Sequence, residues 1–218
     1  MKKIFLLSAV AGTLILTSCG SEAGDKTEAT EQQKVAESTG VTFTVDTVGS
    51  KVSWVGTKIG GSHAGDFKLT EGSLTVTDGK LSAGKFVISV ASNNVTDIDE
   101  ANGKSKLEGH LASADFFEVE KFPTASFEIT GVTVADSSVA SKVANANAVI
   151  SGNLTLKGVT KNISFPAAVV ATETSVEAKA DFDIDRSEWG LNYKGPDNPQ
   201  DWVISKSVNI KLDLKASK

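Results

Sequence analysis

Apolar and polar residues alternate over most of this chain, and this two-residue period constrains the fold more than any other feature. Successive side chains of a β-strand point to opposite faces, so an alternating segment has one apolar face and one polar face. The C-terminal segment shows this most clearly, with an aliphatic residue at every second position from Val208 to Leu214. Similar faces are formed by Phe43 and Val45; Val52 and Trp54; Phe86, Ile88 and Val90; Leu154 and Leu156; and Val176, Ala178, Ala180, Phe182 and Ile184. The pattern predicts an all-β chain.

Short turn-forming sequences separate these segments at residues 48–50, 77–79 and 135–138. Such spacing favours antiparallel hairpins over parallel strands joined by helices. A sheet of about eight strands with one apolar face must either pack on a second layer or close on itself, and closure also removes exposed edges. We therefore predict an antiparallel β-barrel, with a β-sandwich as the second choice.

One segment, residues 99–117, breaks the alternation. Leu107, Leu111 and Ala114 recur there at helical spacing among charged residues. This spacing predicts one short helix in an otherwise β-stranded domain.

The N-terminus has the organisation of a bacterial signal peptide. Lys2 and Lys3 precede an apolar run over residues 4–16 that is short for a membrane span. The run ends in Leu-Thr-Ser-Cys, which resembles a lipobox, where cleavage occurs before a cysteine that carries a diacylglycerol. Cys19 is the only cysteine, and acylation would account for a lone thiol in an exported protein. We expect a signal peptide over residues 1–18 and lipidation at Cys19, including palmitate; an ordinary secretory signal is the alternative.

Residues 20–40 are almost all small, polar or charged, and Val35 is their single large aliphatic residue. A segment of this composition buries too little apolar surface to offset its ordering entropy. It predicts a flexible tether, dispensable for folding, between lipidated Cys19 and one folded domain over residues 41–218.

Charge and composition argue against several classes of function. Without residues 1–18 the chain has 20 basic and 27 acidic residues, a net charge of −7. Nucleic-acid binding needs clustered Lys and Arg, so nucleic acid is not an expected partner. The histidines, His63 and His110, leave no His/Cys set for zinc or haem, and no nucleophile-elbow, phosphate-loop or HExxH motif is present. We expect no metal, no cofactor and no enzymatic activity.

Three segments, together with an opening over residues 43–54, resemble the YceI-like family. They are HLASADFFEVEKFPTASF at 110–127, NLTLKGVTKNISF at 153–165 and FDIDRSEWGL at 182–191. The resemblance implies an extended, lipocalin-like antiparallel barrel of about eight strands with one short helix near its mouth. It also implies that the interior binds a polyisoprenoid or another long-chain lipid. Lys157, where members often carry His, and Asn162, where Pro is common, depart from the family pattern near the β-turn between them.

The resemblance and the strand alternation together predict which side chains face the ligand. The predicted ligand-binding residues are Trp54, Phe86, Ile88, His110, Phe116, Phe117, Phe127, Leu154, Leu156, Phe182, Ile184 and Arg186. Ala180 has the same parity as Phe182 and Ile184, so Ala180→Phe is expected to fill the lumen.

Some of these side chains have structural alternatives. His110 makes either a polar contact at the mouth or a structural hydrogen bond or charge interaction at the helix end. Arg186 either meets an anionic headgroup or pairs with a neighbouring carboxylate. Asp115 is expected to cap a turn, while Phe116 and Phe117 close one barrel end or face the ligand.

The expected function is lipid binding by a membrane-anchored lipoprotein of the cell envelope, for transport, storage or sensing. Its partners would be the bound lipid and the membrane that holds the anchor, with the outer membrane as the expected site, facing the periplasm or the cell surface. The alternative is a structural or stress-related surface barrel filled by its own side chains, because inward residues look alike in either case.

Overall fold

A computed structural model describes residues 26–136, 139–195 and 204–218. The predicted signal peptide, Cys19, and Ser137 and Ser138 of the turn at 135–138 lie outside the described residues. The elements are β1 (Val41–Val45), β2 (Lys51–Lys58), β3 (Gly61–Thr77), β4 (Lys80–Val95), a 3₁₀ turn (Glu100–Asn102), α1 (Lys104–Ala112), β5 (Thr124–Val134), β6 (Ala148–Leu156), β7 (Val159–Ala171), β8 (Ser175–Asp185), a 3₁₀ turn (Arg186–Trp189) and β9 (Ile204–Ser217).

The strands form one antiparallel sheet that closes into a barrel. Within the described ranges nine strands occupy eight positions, because β1 and β2 both lie between β3 and β9. β3 is 17 residues long and pairs with β2 through its first half and with β1 through its second. The predicted antiparallel barrel is confirmed, and the sandwich alternative is wrong.

The apolar face of each strand forms the barrel interior. In β8, for example, every second residue from Val176 to Ile184 is buried, and the residues between them face outward. The two-residue period of the sequence is therefore the period of the barrel wall.

Helix α1 lies at one end of the barrel, which we call the mouth, and it falls inside the predicted segment. Lys104 Nζ donates to Asn94 Oδ1 at 2.8 Å, and Glu108 Oε1 accepts the Val95 N–H at 2.8 Å. These bonds hold the helix to the end of β4. No helix in the described part of the chain has the length and hydrophobicity needed to span a membrane.

Residues 26–39, which we call the strap, lie along the barrel wall instead of forming the expected flexible tether. β7 and β8 pair only at 167–171 with 176–180, so their mouth-side halves separate. Within this gap the Thr27 N–H donates to Asp183 O at 2.8 Å, and Thr30 exchanges backbone hydrogen bonds of 2.8 and 2.9 Å with Asn162. The strap thus pairs two strand edges that the sheet leaves open.

From this gap the strap crosses the polar outer face towards the opposite end of the barrel. The Asn153 side chain accepts the Gln33 N–H at 3.0 Å and donates to Gln33 O at 2.7 Å. The hydroxyls of Ser38 and Thr75 lie 2.6 Å apart. Asn153 and Thr75 point outward, yet each is only 1% exposed because the strap covers it. For residues 26–39 the prediction of a flexible segment was wrong, because hydrogen bonds that its composition does not reveal hold it to the barrel; residues 20–25 of the predicted tether lie outside the described residues.

We expect the strap to contribute to stability. Asn153→Ala leaves both backbone groups of Gln33 without this partner and should cost about 1–3 kcal/mol, or roughly 2–12 °C in melting temperature. Thermal melts followed by circular dichroism measure the change, with Glu177→Ala at an exposed position of β8 as the near-neutral control. A chain that begins at Val41 should lose at least as much; if it melted like the full mature chain, the strap would contribute nothing.

Candidate ligand-binding site

A cavity of about 410 Å³ occupies the mouth half of the barrel. This volume falls within the range of roughly 300–1,000 Å³ that is typical of small-molecule sites. Strands β2 to β9 and helix α1 all contribute to its wall, and most of the lining side chains are aromatic or aliphatic.

The structure brings all twelve predicted ligand-binding residues together in this wall. They are Trp54, Phe86, Ile88, His110, Phe116, Phe117, Phe127, Leu154, Leu156, Phe182, Ile184 and Arg186. Their contact with a ligand stays a prediction.

Other lining residues were missed by the sequence reasoning. Val52, Val208, Ile210 and Leu212 follow the same alternation as their predicted neighbours, so the signal for them was available. Tyr193 lies in an irregular segment between β8 and β9, where no periodic pattern marks it.

The opposite half of the barrel is closed by packed side chains. Phe165 and Phe182 stack with ring centroids 4.0 Å apart, and Phe86 and Phe127 stack at 5.4 Å. Beyond them lies a small space of about 20 Å³. It is surrounded by buried side chains that include Leu74, Leu81, Ile129, Ile150, Ala167, Ala178, Ala180 and Leu214. The rings therefore form the floor of the larger cavity.

Ala180 lies below this floor. Its side chain points inward, as its parity with Phe182 predicts, and it is 4% exposed. It lines the small residual space rather than the cavity, so Ala180→Phe would overpack the closed end instead of filling the binding volume. Ala125 on β5 is the buried alanine that lines the cavity itself.

An aromatic cluster borders the mouth. The His110 ring contacts Phe116 and Tyr193 edge-on, with centroid distances of 5.1 and 4.9 Å. His110 Nε2 lies 3.0 Å from Asp115 Oδ2, so this carboxylate pairs with a histidine rather than capping a turn as expected. His110 thus combines the structural hydrogen bond and the mouth position that the sequence left as alternatives.

Trp54 is fixed in the wall by its neighbours. Its Nε1 donates to Asn93 Oδ1 at 2.9 Å. Its ring lies against Gly65, the residue opposite it on β3, where a Cβ would be 2.6 Å from the Trp54 ring. Glycine at this position lets the indole lie flat against the strand.

Arg186 is 4% exposed, and its guanidinium donates to backbone carbonyls. Nε donates to Ser205 O at 2.9 Å, and Nη2 donates to Tyr193 O and Ile204 O at 3.1 Å each. Nη1 donates to Leu191 O. These bonds hold the segment after β8 against the start of β9 and so shape one side of the mouth.

Among the described residues Arg186 forms no ion pair with a neighbouring carboxylate, which was one of the two alternatives for this side chain. The Asp185 carboxylate accepts the Ser187 N–H at 2.9 Å instead, and acts on Arg186 only at longer range. Burial lowers the pKa of the Arg186 guanidinium, and the Asp185 charge acts in the opposite direction. Arginine nevertheless stays protonated in proteins, so the cavity wall contains a buried positive charge bonded to neutral oxygens.

No cluster of three or more His, Cys, Asp or Glu side chains suited to a metal ion occurs among residues 26–136, 139–195 and 204–218.

Comparisons with known proteins agree with this architecture. A UPF0312 protein of Shewanella baltica is 31% identical over 209 residues, which cover 96% of this chain and 88% of that protein. A UPF0312 protein of Pseudomonas aeruginosa is 37% identical over 106 residues, 49% of this chain, and the match spans only 48% of its length.

Solved structures show the same fold. The crystal structure of Burkholderia cenocepacia BcnA has a TM-score of 0.62 at 23% identity, covering 79% of this chain and 99% of that one. A polyisoprenoid binding domain from Saccharophagus degradans has a TM-score of 0.56 at 18% identity, with coverages of 84% and 99%. The YceI-like domain profile matches residues 43–216, which leave out the strap, the first two residues of β1 and the last residue of β9. This chain therefore belongs to the YceI-like family.

Proposed function

We propose that this protein binds a polyisoprenoid or another long-chain amphiphilic lipid in the barrel and catalyses no reaction. The observation that carries the proposal is the cavity of about 410 Å³, which is lined mainly by aromatic and aliphatic side chains and reached from the mouth. The S. degradans domain of similar fold, which is described as polyisoprenoid binding, supports the same ligand class.

The physical cost of association explains why the ligand should be long. Burial of each CH₂ contributes about 0.8 kcal/mol, so a chain of some 15 carbons gains roughly 12 kcal/mol before association costs. Those costs are on the order of 4–15 kcal/mol. Short amphiphiles should therefore bind weakly, and long isoprenoid or fatty chains should bind tightly.

The alternative of a structural barrel filled by its own side chains describes only half of this molecule. The closed half, around Leu74 and Ile150, has that character, with about 20 Å³ of residual space. The mouth half has the larger cavity, and this difference favours ligand binding over a purely structural role.

We further propose that the protein is held in the cell envelope by lipid on Cys19, and that it carries, stores or senses its ligand there. The strap supports a specific placement. It fixes Lys26 beside Asp183, two residues before the mouth end of β8. From Cys19 to Lys26 an extended chain spans at most about 25 Å. Anchoring at Cys19 would therefore keep the mouth close to the lipid surface.

Filling the cavity should abolish lipid binding while leaving the fold intact. Ala125→Phe places a ring in the cavity, whereas Ala168→Phe makes the same change on the outer face of β7, where Ala168 pairs with outward-facing Lys179. Native mass spectrometry and lipid extraction of the purified mature chain should detect a long-chain ligand in the parent and Ala168→Phe proteins and little in Ala125→Phe. Equal lipid content in all three, at unchanged circular dichroism, would refute binding in the cavity.

Loss of the proposed acylation site should release the protein from membranes. Cys19→Ser removes the only cysteine, so the variant should move to the soluble fraction and incorporate no labelled palmitate. Cell fractionation with metabolic labelling measures both outcomes, and Ser21→Ala is the matched control. A membrane-bound Ser variant, together with a parent protein that takes up no label, would contradict the lipoprotein assignment.

A further inference from the structure

The charge of the cavity lining is opposite in sign to that of the whole chain. Five lining residues have basic side chains, and no residue that lines the cavity within the described part of the chain is an aspartate or glutamate. The complete sequence, by contrast, has 27 acidic and 22 basic residues. The five basic residues are Lys58, His63, His110, Arg186 and Lys194.

These five side chains all come from elements at the mouth. Lys58 is the last residue of β2, and His63 is near the start of β3. His110 is on α1, and Arg186 directly follows β8. The backbone carbonyl of Lys194 accepts the N–H of Ile204 at the start of β9. We call them the basic rim. Below the rim the wall is apolar, so the cavity has the polarity of an amphiphile with a charged head and an apolar tail.

The charge of the rim comes mainly from three of its members. His63 Nδ1 lies 2.9 Å from Asp97 Oδ2, and His110 is paired with Asp115. Each imidazole therefore has a carboxylate as its hydrogen-bond partner. Among the described residues, Arg186, Lys58 and Lys194 form no ion pair. Arg186 is moreover buried and hydrogen-bonds only to neutral carbonyls, so its charge is compensated only in part, by Asp185 at longer range.

We propose that the basic rim recognises an anionic oxygen headgroup, a carboxylate or a phosphate, on the long-chain ligand. This inference rests on the proposed function, because the apolar tail must occupy the cavity for the head to reach the rim. The two lysines would neutralise the headgroup, while Arg186, whose hydrogen-bonding capacity is largely committed to carbonyls, would contribute through its charge. A neutral alcohol headgroup would gain none of this interaction.

The test compares two ligands of equal chain length, hexadecanoate and hexadecanol, on the delipidated mature protein. The parent should prefer the carboxylate by roughly 5- to 20-fold in Kd, and the preference should decrease with added salt. The double variant Lys58→Gln/Lys194→Gln should lose most of that preference and retain its affinity for hexadecanol. Lys80→Gln/Lys85→Gln makes the same change in net charge at exposed positions towards the closed end and should behave like the parent.

The outcomes separate the rim from the cavity. If both ligands bind the parent equally well, or if the rim variant keeps the full preference, the headgroup assignment is overturned while lipid binding stands. If neither ligand nor a polyprenyl phosphate binds, both the proposed function and this inference fail. Displacement of hexadecanoate by millimolar inorganic phosphate or acetate would show that the rim binds free anions, and would also overturn the assignment to a lipid headgroup.

Discussion

Closure of the hydrogen-bond ladder is the constraint on which the rest of this structure depends. A barrel leaves no strand edge exposed, yet this sheet has several irregular places, two of which are the separation of β7 from β8 and the bulge in β5. The strap meets both of them. It pairs with β7 and β8 in the gap, and the Ala36 N–H donates a hydrogen bond of 2.9 Å to the Ile129 carbonyl at the bulge. The N-terminal segment therefore completes the barrel, although the family's sequence profile does not include it.

A second constraint divides the interior. Closely packed aliphatic and alanine side chains fill one half, and stacked phenylalanine rings separate that half from the cavity. Large rings can line a cavity without collapsing into it because they are supported from behind. Gly65 gives Trp54 room to lie on its neighbouring strand, and Gly152 does the same for Phe127, whose ring would be 2.1 Å from a Cβ at that position. The shape of the site is thus fixed by packing outside it.

The sequence predicted the strands, the helix and the inward side chains, because each depends on a local period that burial enforces. It failed where non-local hydrogen bonds decide the structure. The strap has few apolar residues, so its composition resembled a disordered linker. Asn162 illustrates the difference: it stands where the family often carries proline, and here its N–H donates to Thr30 at 2.9 Å, which proline could not do. The alternation also predicts which residues point inward but not how far along the barrel they lie. Ala180 and Ile184 are on the same face of β8, yet Ala180 lines the closed half and Ile184 lines the cavity.

The closed end of the barrel limits how a ligand could enter and leave the cavity. Because the described part of the far end is packed, a lipid bound as proposed would enter and leave through the mouth, with its apolar tail entering first and leaving last. A surface that supplies the lipid and a surface that receives it could not be contacted at opposite ends of the barrel, as they could be if the barrel were open at both ends. A protein that transferred such a lipid would therefore have to turn its mouth from one surface to another, or exchange lipid with a single surface. The packed floor below Phe165 and Phe182 thus fits the proposed carrying, storing or sensing of a lipid better than passage of a lipid through the barrel.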